Sequence, residues 1–65
     1  MEWNKENSVK LINKLLETNS VADLASKSKL AVNTFFRWKN PKDPRYPKYP
    51  TFRFLETLQE EDYER

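Results

Sequence analysis

Val9, Ile12, Leu15 and Leu16 recur at helical spacing near the start of the chain, with Leu11 at the edge of the stripe. The pattern predicts a first helix over about residues 5–18, capped by Asn4 or Asn7. "TNS" at residues 18–20 interrupts it. Ser20 is followed three residues later by Asp23, a capping-box-like start in which the serine hydroxyl satisfies an orphan amide. Val21, Leu24 and Ala25 then give a second helix, at about residues 21–28, one apolar face. "KLA" is a short link. A third helix, about residues 32–40, carries Phe35 and Trp38 three apart on one face. Pro41 stops it, because proline disfavours the helical conformation in the residue before it.

Further on, "TFRFLETLQEEDY" reads as a fourth helix that buries Phe54, Leu55 and Leu58. "TFRF" also alternates, so a short strand at 51–54 competes with it. Acidic residues at a helix C-terminus oppose the macrodipole, and this end is expected to fray. The fold class is therefore all-α: a small bundle of four or five helices. The folded domain spans residues 1–58, and residues 59–65 form an acidic tail.

Between the third and fourth helices lies "PKDPRYPKYP", with Pro41, Pro44, Pro47 and Pro50 at every third position of a chain without glycine. In a polyproline II conformation, Lys42, Arg45 and Lys48 would share one ridge, about 9 Å apart. Tyr46 and Tyr49 would pack inward or donate to phosphates. A plain spacer is part of the role. A ligand for an SH3-like domain is a weaker alternative, since PxxP is common in proline-rich loops.

Composition removes whole classes of function. With no histidine or cysteine, the chain builds no Ser-His-Asp triad, imidazole acid–base pair, disulfide or thiolate zinc site. Without glycine there is no phosphate-binding loop and no dinucleotide fingerprint. Neither an enzyme nor a bound metal or cofactor is expected. No apolar run reaches the length of a membrane span, and "MEWNKENS" has no signal-peptide core. A cytoplasmic protein is the expectation.

The formal charge of +2 hides an asymmetry. Residues 20–53 hold eight cations against two carboxylates, a net of +6, whereas residues 54–65 hold one against five, a net of −4. A basic middle with an acidic end points to a polyanionic partner for the middle.

Two short helices joined by a tight link, the second carrying "RW", suggest a helix-turn-helix. "LASKSKLAVNTFFRWKN", Leu24 to Asn40, resembles the Cro/repressor (XRE-type) family of phage and mobile-element regulators. The matching positions are Leu24-Ala25, Leu30, Phe35 and Trp38, with Thr34, Arg37 and Asn40 also common family choices. The resemblance implies a lambda-repressor/Cro-like fold with a central helix-turn-helix. Three positions depart from the pattern. Lys29 stands where the family turn usually has glycine, Ser28 takes a usually apolar place, and Val21 replaces a frequent glutamine that in relatives contacts DNA.

"SVAD" at residues 20–23 also fits lambda-type repressors in a register shifted by three. That register buries Lys27 and puts Val32 and Phe35 in the core. The first register buries Leu30, Phe35 and Trp38 together and is preferred. It exposes Ala31, Val32, Asn33, Phe36, Arg37 and Asn40. The other exposes Ser28, Lys29, Leu30, Asn33, Thr34 and Arg37. Asn33 and Arg37 are exposed in both.

A helix in the major groove reads base edges through hydrogen-bonding side chains: arginine matches guanine O6 and N7, and asparagine matches adenine N6 and N7. Arg37 and Asn33, four apart, lie on one helical face. Val32 and Phe36 can press on thymine methyls, and Asn40 completes the set. For Arg37 a phosphate or plain surface contact weighs equally, and for Phe36 a core or dimer contact is the plainer reading. Lys29, Lys39, Lys42, Arg45 and Lys48 are the phosphate-contact candidates.

The expected function is a small sequence-specific, double-stranded-DNA-binding transcriptional regulator of the Cro kind. The resemblance implies a homodimer on a palindromic site. A different class of function is an antirepressor, which uses this fold to bind a repressor protein instead. Val32 and Phe36 on the reading face, the missing glutamine and the acidic end motivate it. A third reading is excisionase-like: "FFRWKNPKDPRYPKYPTFRF" resembles the segment of phage excisionases and AlpA-type proteins that runs from an "RW" helix into a wing and an "RFR" strand. The link between the helices here is about three residues too long for that family, and the prolines would break wing pairing.

Overall fold

The computed structural model describes the backbone of residues 1–64 and the side chains of residues 1–61. It contains α1 (Lys5–Leu15), α2 (Val21–Ser28), α3 (Val32–Lys39) and α4 (Tyr49–Glu64), and no strand among the described residues. The fold is an all-helical bundle in which α1 packs on both α3 and α4 while α2 packs on α3. None of the described helices is long and apolar enough to cross a membrane.

Local chemistry accounts for the helix ends. Asn4 is the cap of α1: its Oδ1 accepts from the Asn7 amide at 2.8 Å. The Asn7 side chain reaches back to donate to the Glu2 carbonyl at 2.8 Å, so both asparagines serve the same terminus. Ser20 caps α2 by accepting from the Asp23 amide at 3.1 Å. Helix α3 gives way to an extended Asn40 immediately before Pro41, as expected of a residue preceding proline.

The core consists of Leu11, Ile12 and Leu15 from α1, Leu24 and Ala25 from α2, Phe35 from α3, and Phe52 and Leu55 from α4. Leu16, Val21, Leu30, Trp38 and Leu58 close its margin. Phe35 and Trp38 meet edge to face with centroids 5.5 Å apart, a geometry that adds attraction beyond area burial. The inner face of α1 is rotated from the one the apolar pattern suggested: Ser8 and Leu11 are buried, whereas Val9 and Leu16 are half-buried. Ser8 tolerates this because its hydroxyl donates to the Asn4 carbonyl at 2.7 Å, leaving no unpaired polar atom.

Several expectations need correction. Helix α1 ends at Leu15, and residues 16–18 form a turn in which the Asn19 amide donates to the Leu15 carbonyl at 3.0 Å. Helix α4 begins at Tyr49, earlier than expected, and takes Pro50 into its first turn. There a missing N–H costs nothing, because first-turn amides have no intrahelical acceptor. The competing strand at residues 51–54 is helical instead, which also removes the strand required by an excisionase-like wing.

The face of α4 packed against α1 sets which phenylalanine turns inward. Phe52 is buried and Phe54 is 42% exposed, the reverse of the expected burial of Phe54. The helical backbone continues through Glu64, past the boundary at residue 58. Arg65 lies outside the described residues.

Phe52 and Phe54 should therefore respond very differently to truncation. Phe52→Ala should cost about 3–5 kcal/mol, a large share of the stability of so small a domain. Phe54→Ala should cost under about 1 kcal/mol. Urea unfolding followed by circular dichroism checks this, and equal losses would contradict the orientation of α4.

Candidate nucleic-acid interface

The geometry of the candidate interface begins at the link between α2 and α3. Lys29 has φ 60° and ψ 35°, the one positive-φ residue among those described. Its amide donates to the Ser26 carbonyl, and the Leu30 amide donates to the Ala25 carbonyl at 3.0 Å. These two bonds make a Schellman-type end, which relies on a left-handed residue. Lysine thus adopts the conformation that glycine would take at lower steric cost. Ser28 is half-buried, and its hydroxyl donates to the Leu24 carbonyl at 2.6 Å, which lets a polar residue sit at this position.

With the chain reversed there, Leu30, Phe35 and Trp38 turn toward the core, and Val32 and Lys27 are exposed. This burial matches the preferred register, not the one shifted by three. Ala31, Val32, Asn33, Phe36, Arg37 and Asn40 are all exposed and form one stripe along α3. The structure thus brings the five base-contact candidates together. Val32 is 39% exposed and Phe36 47%, so neither belongs to the core. Asn40 is partly committed, because its Oδ1 accepts from the Lys42 amide at 3.0 Å. Val21, where the resembling pattern often has glutamine, is half-buried against the core.

Around this stripe the cations form no ion pairs among the described residues. Among the described residues, the ion pairs are Met1 ammonium–Glu56, Lys10–Glu6, Lys14–Glu17 and Arg53–Glu56. None involves Lys29, Arg37, Lys39, Lys42, Arg45 or Lys48. Lys39 lies over the Phe36 ring, 5.1 Å from its centroid, a cation–π contact that keeps the ammonium beside the stripe.

The arm departs from a straight polyproline ridge. The Asp43 amide donates to the Asn40 carbonyl at 3.1 Å, and the Asp43 Oδ1 accepts from the Arg45 amide at 2.9 Å. Polyproline II has no internal hydrogen bonds, so Lys42 sits in a turn and the evenly spaced three-cation ridge does not form. Lys42, Arg45 and Lys48 are nonetheless exposed, while Pro47 is buried and anchors the segment.

Two residues missed in the sequence hold the arm. Trp3 donates through Nε1 to the Pro47 carbonyl at 2.8 Å, and its ring meets Tyr46 and Tyr49 at 5.9 and 5.6 Å. The Lys5 Nζ donates to the Arg37, Trp38 and Arg45 carbonyls. Three acceptors match the three N–H bonds of an ammonium, so this geometry suits the charged form. Burial pushes the Lys5 pKa below the ordinary lysine value, and nearby Asp43 pulls it back. The lone tryptophan near the start was the only available hint of such a strap.

No family model, curated protein or solved structure matches this chain.

Replacing Lys29 with glycine should relieve the left-handed strain. Lys29→Gly is expected to stabilise the fold by about 0.5–1 kcal/mol, raising the melting temperature by roughly 3–6 °C. Thermal circular dichroism tests it, and a lowered midpoint would contradict the link geometry.

Proposed function

We propose that this chain is a small sequence-specific DNA-binding transcriptional regulator of the Cro kind, which lays α3 in the major groove. The observation that carries this reading is the stripe on α3. Asn33 and Arg37 stand exposed one helical turn apart, bordered by cations that make no ion pair among the described residues. Arginine and asparagine supply paired hydrogen bonds to guanine and adenine, while Lys29, Lys39, Lys42, Arg45 and Lys48 supply phosphate contacts. The mode of action is binding without catalysis, in the cytoplasm. A homodimer on a palindromic site gives two such helices the spacing of one DNA turn.

One observation favours a second reading. Val32 and Phe36 expose apolar surface in the same stripe, which suits an antirepressor that docks on another repressor. The two readings differ in salt dependence. Phosphate contacts release counterions, so DNA affinity should fall with a log–log slope of about −3 to −5 if most of the five cations engage. An apolar protein contact should respond weakly.

The deciding experiment selects duplexes from a random library, using the intact protein and an Asn33→Ala, Arg37→Ala variant. The intact protein should recover one defined site, and the variant should lose it. Arg37→Ala alone should weaken that site about 10- to 100-fold. Failure of the intact protein to enrich any site at low salt would refute the DNA-reading assignment.

A further inference from the structure

We propose that Lys5 is a positioning residue for polyanion binding: its ammonium locks the cationic arm to the C-terminal end of α3. This rests on the reading of α3 and the arm as the DNA-contacting surface. The Lys5 side chain leaves the first turn of α1 and donates to the Trp38 carbonyl at 3.0 Å and the Arg37 carbonyl at 3.3 Å. Both belong to the last turn of α3, where carbonyls run short of intrahelical donors and the macrodipole is negative; the Arg37 carbonyl also accepts from the Asn40 amide at 3.3 Å. The third bond goes to the Arg45 carbonyl in the arm. One ammonium thus ties the backbone of a base-reading candidate to the backbone of a phosphate-contact candidate, while both arginine side chains remain exposed.

Trp3 provides a second grip two residues earlier. It holds the Pro47 carbonyl, two residues beyond Arg45, so the same short segment clasps the arm at two points. The arm's own hydrogen bonds are local, between Asn40 and Lys42, Asn40 and Asp43, and Asp43 and Arg45. Those bonds fix the turn that follows the C-cap of α3, and none of them reaches beyond Arg45. An arm not held against α3 would have to be ordered when the polyanion binds, at an entropic cost for every residue fixed. With Lys5 in place, that ordering is already done. Lys5 touches no ligand, and its effect passes through Lys42, Arg45 and Lys48.

A mutant cycle separates this from a merely structural role. Affinity for the selected duplex is measured at several salt concentrations, well below the melting temperature. The proteins are the wild type, Lys5→Met, Lys5→Arg, a Lys42→Gln, Arg45→Gln, Lys48→Gln arm variant, and that arm variant with Lys5→Met. Lys5→Met should weaken binding about tenfold and flatten the log–log salt slope by about 1–2. Lys5→Arg, which keeps a charged donor fork, should recover most of the loss.

In the arm variant, Lys5→Met should cost less than twofold. An equal cost with and without the arm cations would overturn the proposal, as would an unchanged affinity and slope. If Lys5→Met is unfolded, Lys5→Gln replaces it, with the same non-additivity expected. Should no duplex be selected, the α3 reading fails on its own, and the same cycle is run with a heparin decasaccharide. Non-additive loss there sustains the role of Lys5 in holding the arm, and additive or absent loss overturns it.

Discussion

The arrangement of this bundle depends on one residue in a left-handed backbone conformation. Lys29 ends α2 and reverses the chain so that α3 returns across it. A right-handed residue there would continue the helix and carry Leu30 away from the core. With the reversal, Leu30 closes the core margin and Phe35 fills its centre. The opposite face of α3 is thereby left to solvent. The outward stripe and the buried aromatic pair are two sides of the same turn.

Much of this architecture was legible from short-range signals. Asn4 and Ser20 cap helices because their side-chain oxygens can reach an amide two or three residues on, an interaction written entirely in local sequence. Pro41 ends α3 for an equally local reason. The register of α3 followed from asking which of Leu30, Val32, Phe35 and Trp38 could be buried together. Those features share one property: the residues that decide them lie within one or two helical turns.

What escaped was decided at longer range. Phe52 and Phe54 are alike in type and only two apart. Choosing between them required knowing which face of α4 packs against α1. Ser8 reads as a surface residue until its hydroxyl is seen bonded within its own helix. Lys5 and Trp3 were missed because their partners are backbone carbonyls 32 to 44 residues away. Any residue type presents a carbonyl, so no pattern of side chains announces such a contact. The cations near α3 were legible as an excess of charge, but which cations form ion pairs among the described residues was not.

The strap has a consequence for how the chain acquires its structure. Trp3 meets Pro47 across 44 residues, and the Met1 ammonium pairs with Glu56 at 3.5 Å. Residues just before α1 therefore find their partners in the arm and in α4. No N-terminal fragment contains a complete core either, since Phe52 and Leu55 come from the final helix. Loop closure over such separations must precede the contacts that reward it. Folding of these elements should therefore behave as a single all-or-none event, with no stable half-domain along the way.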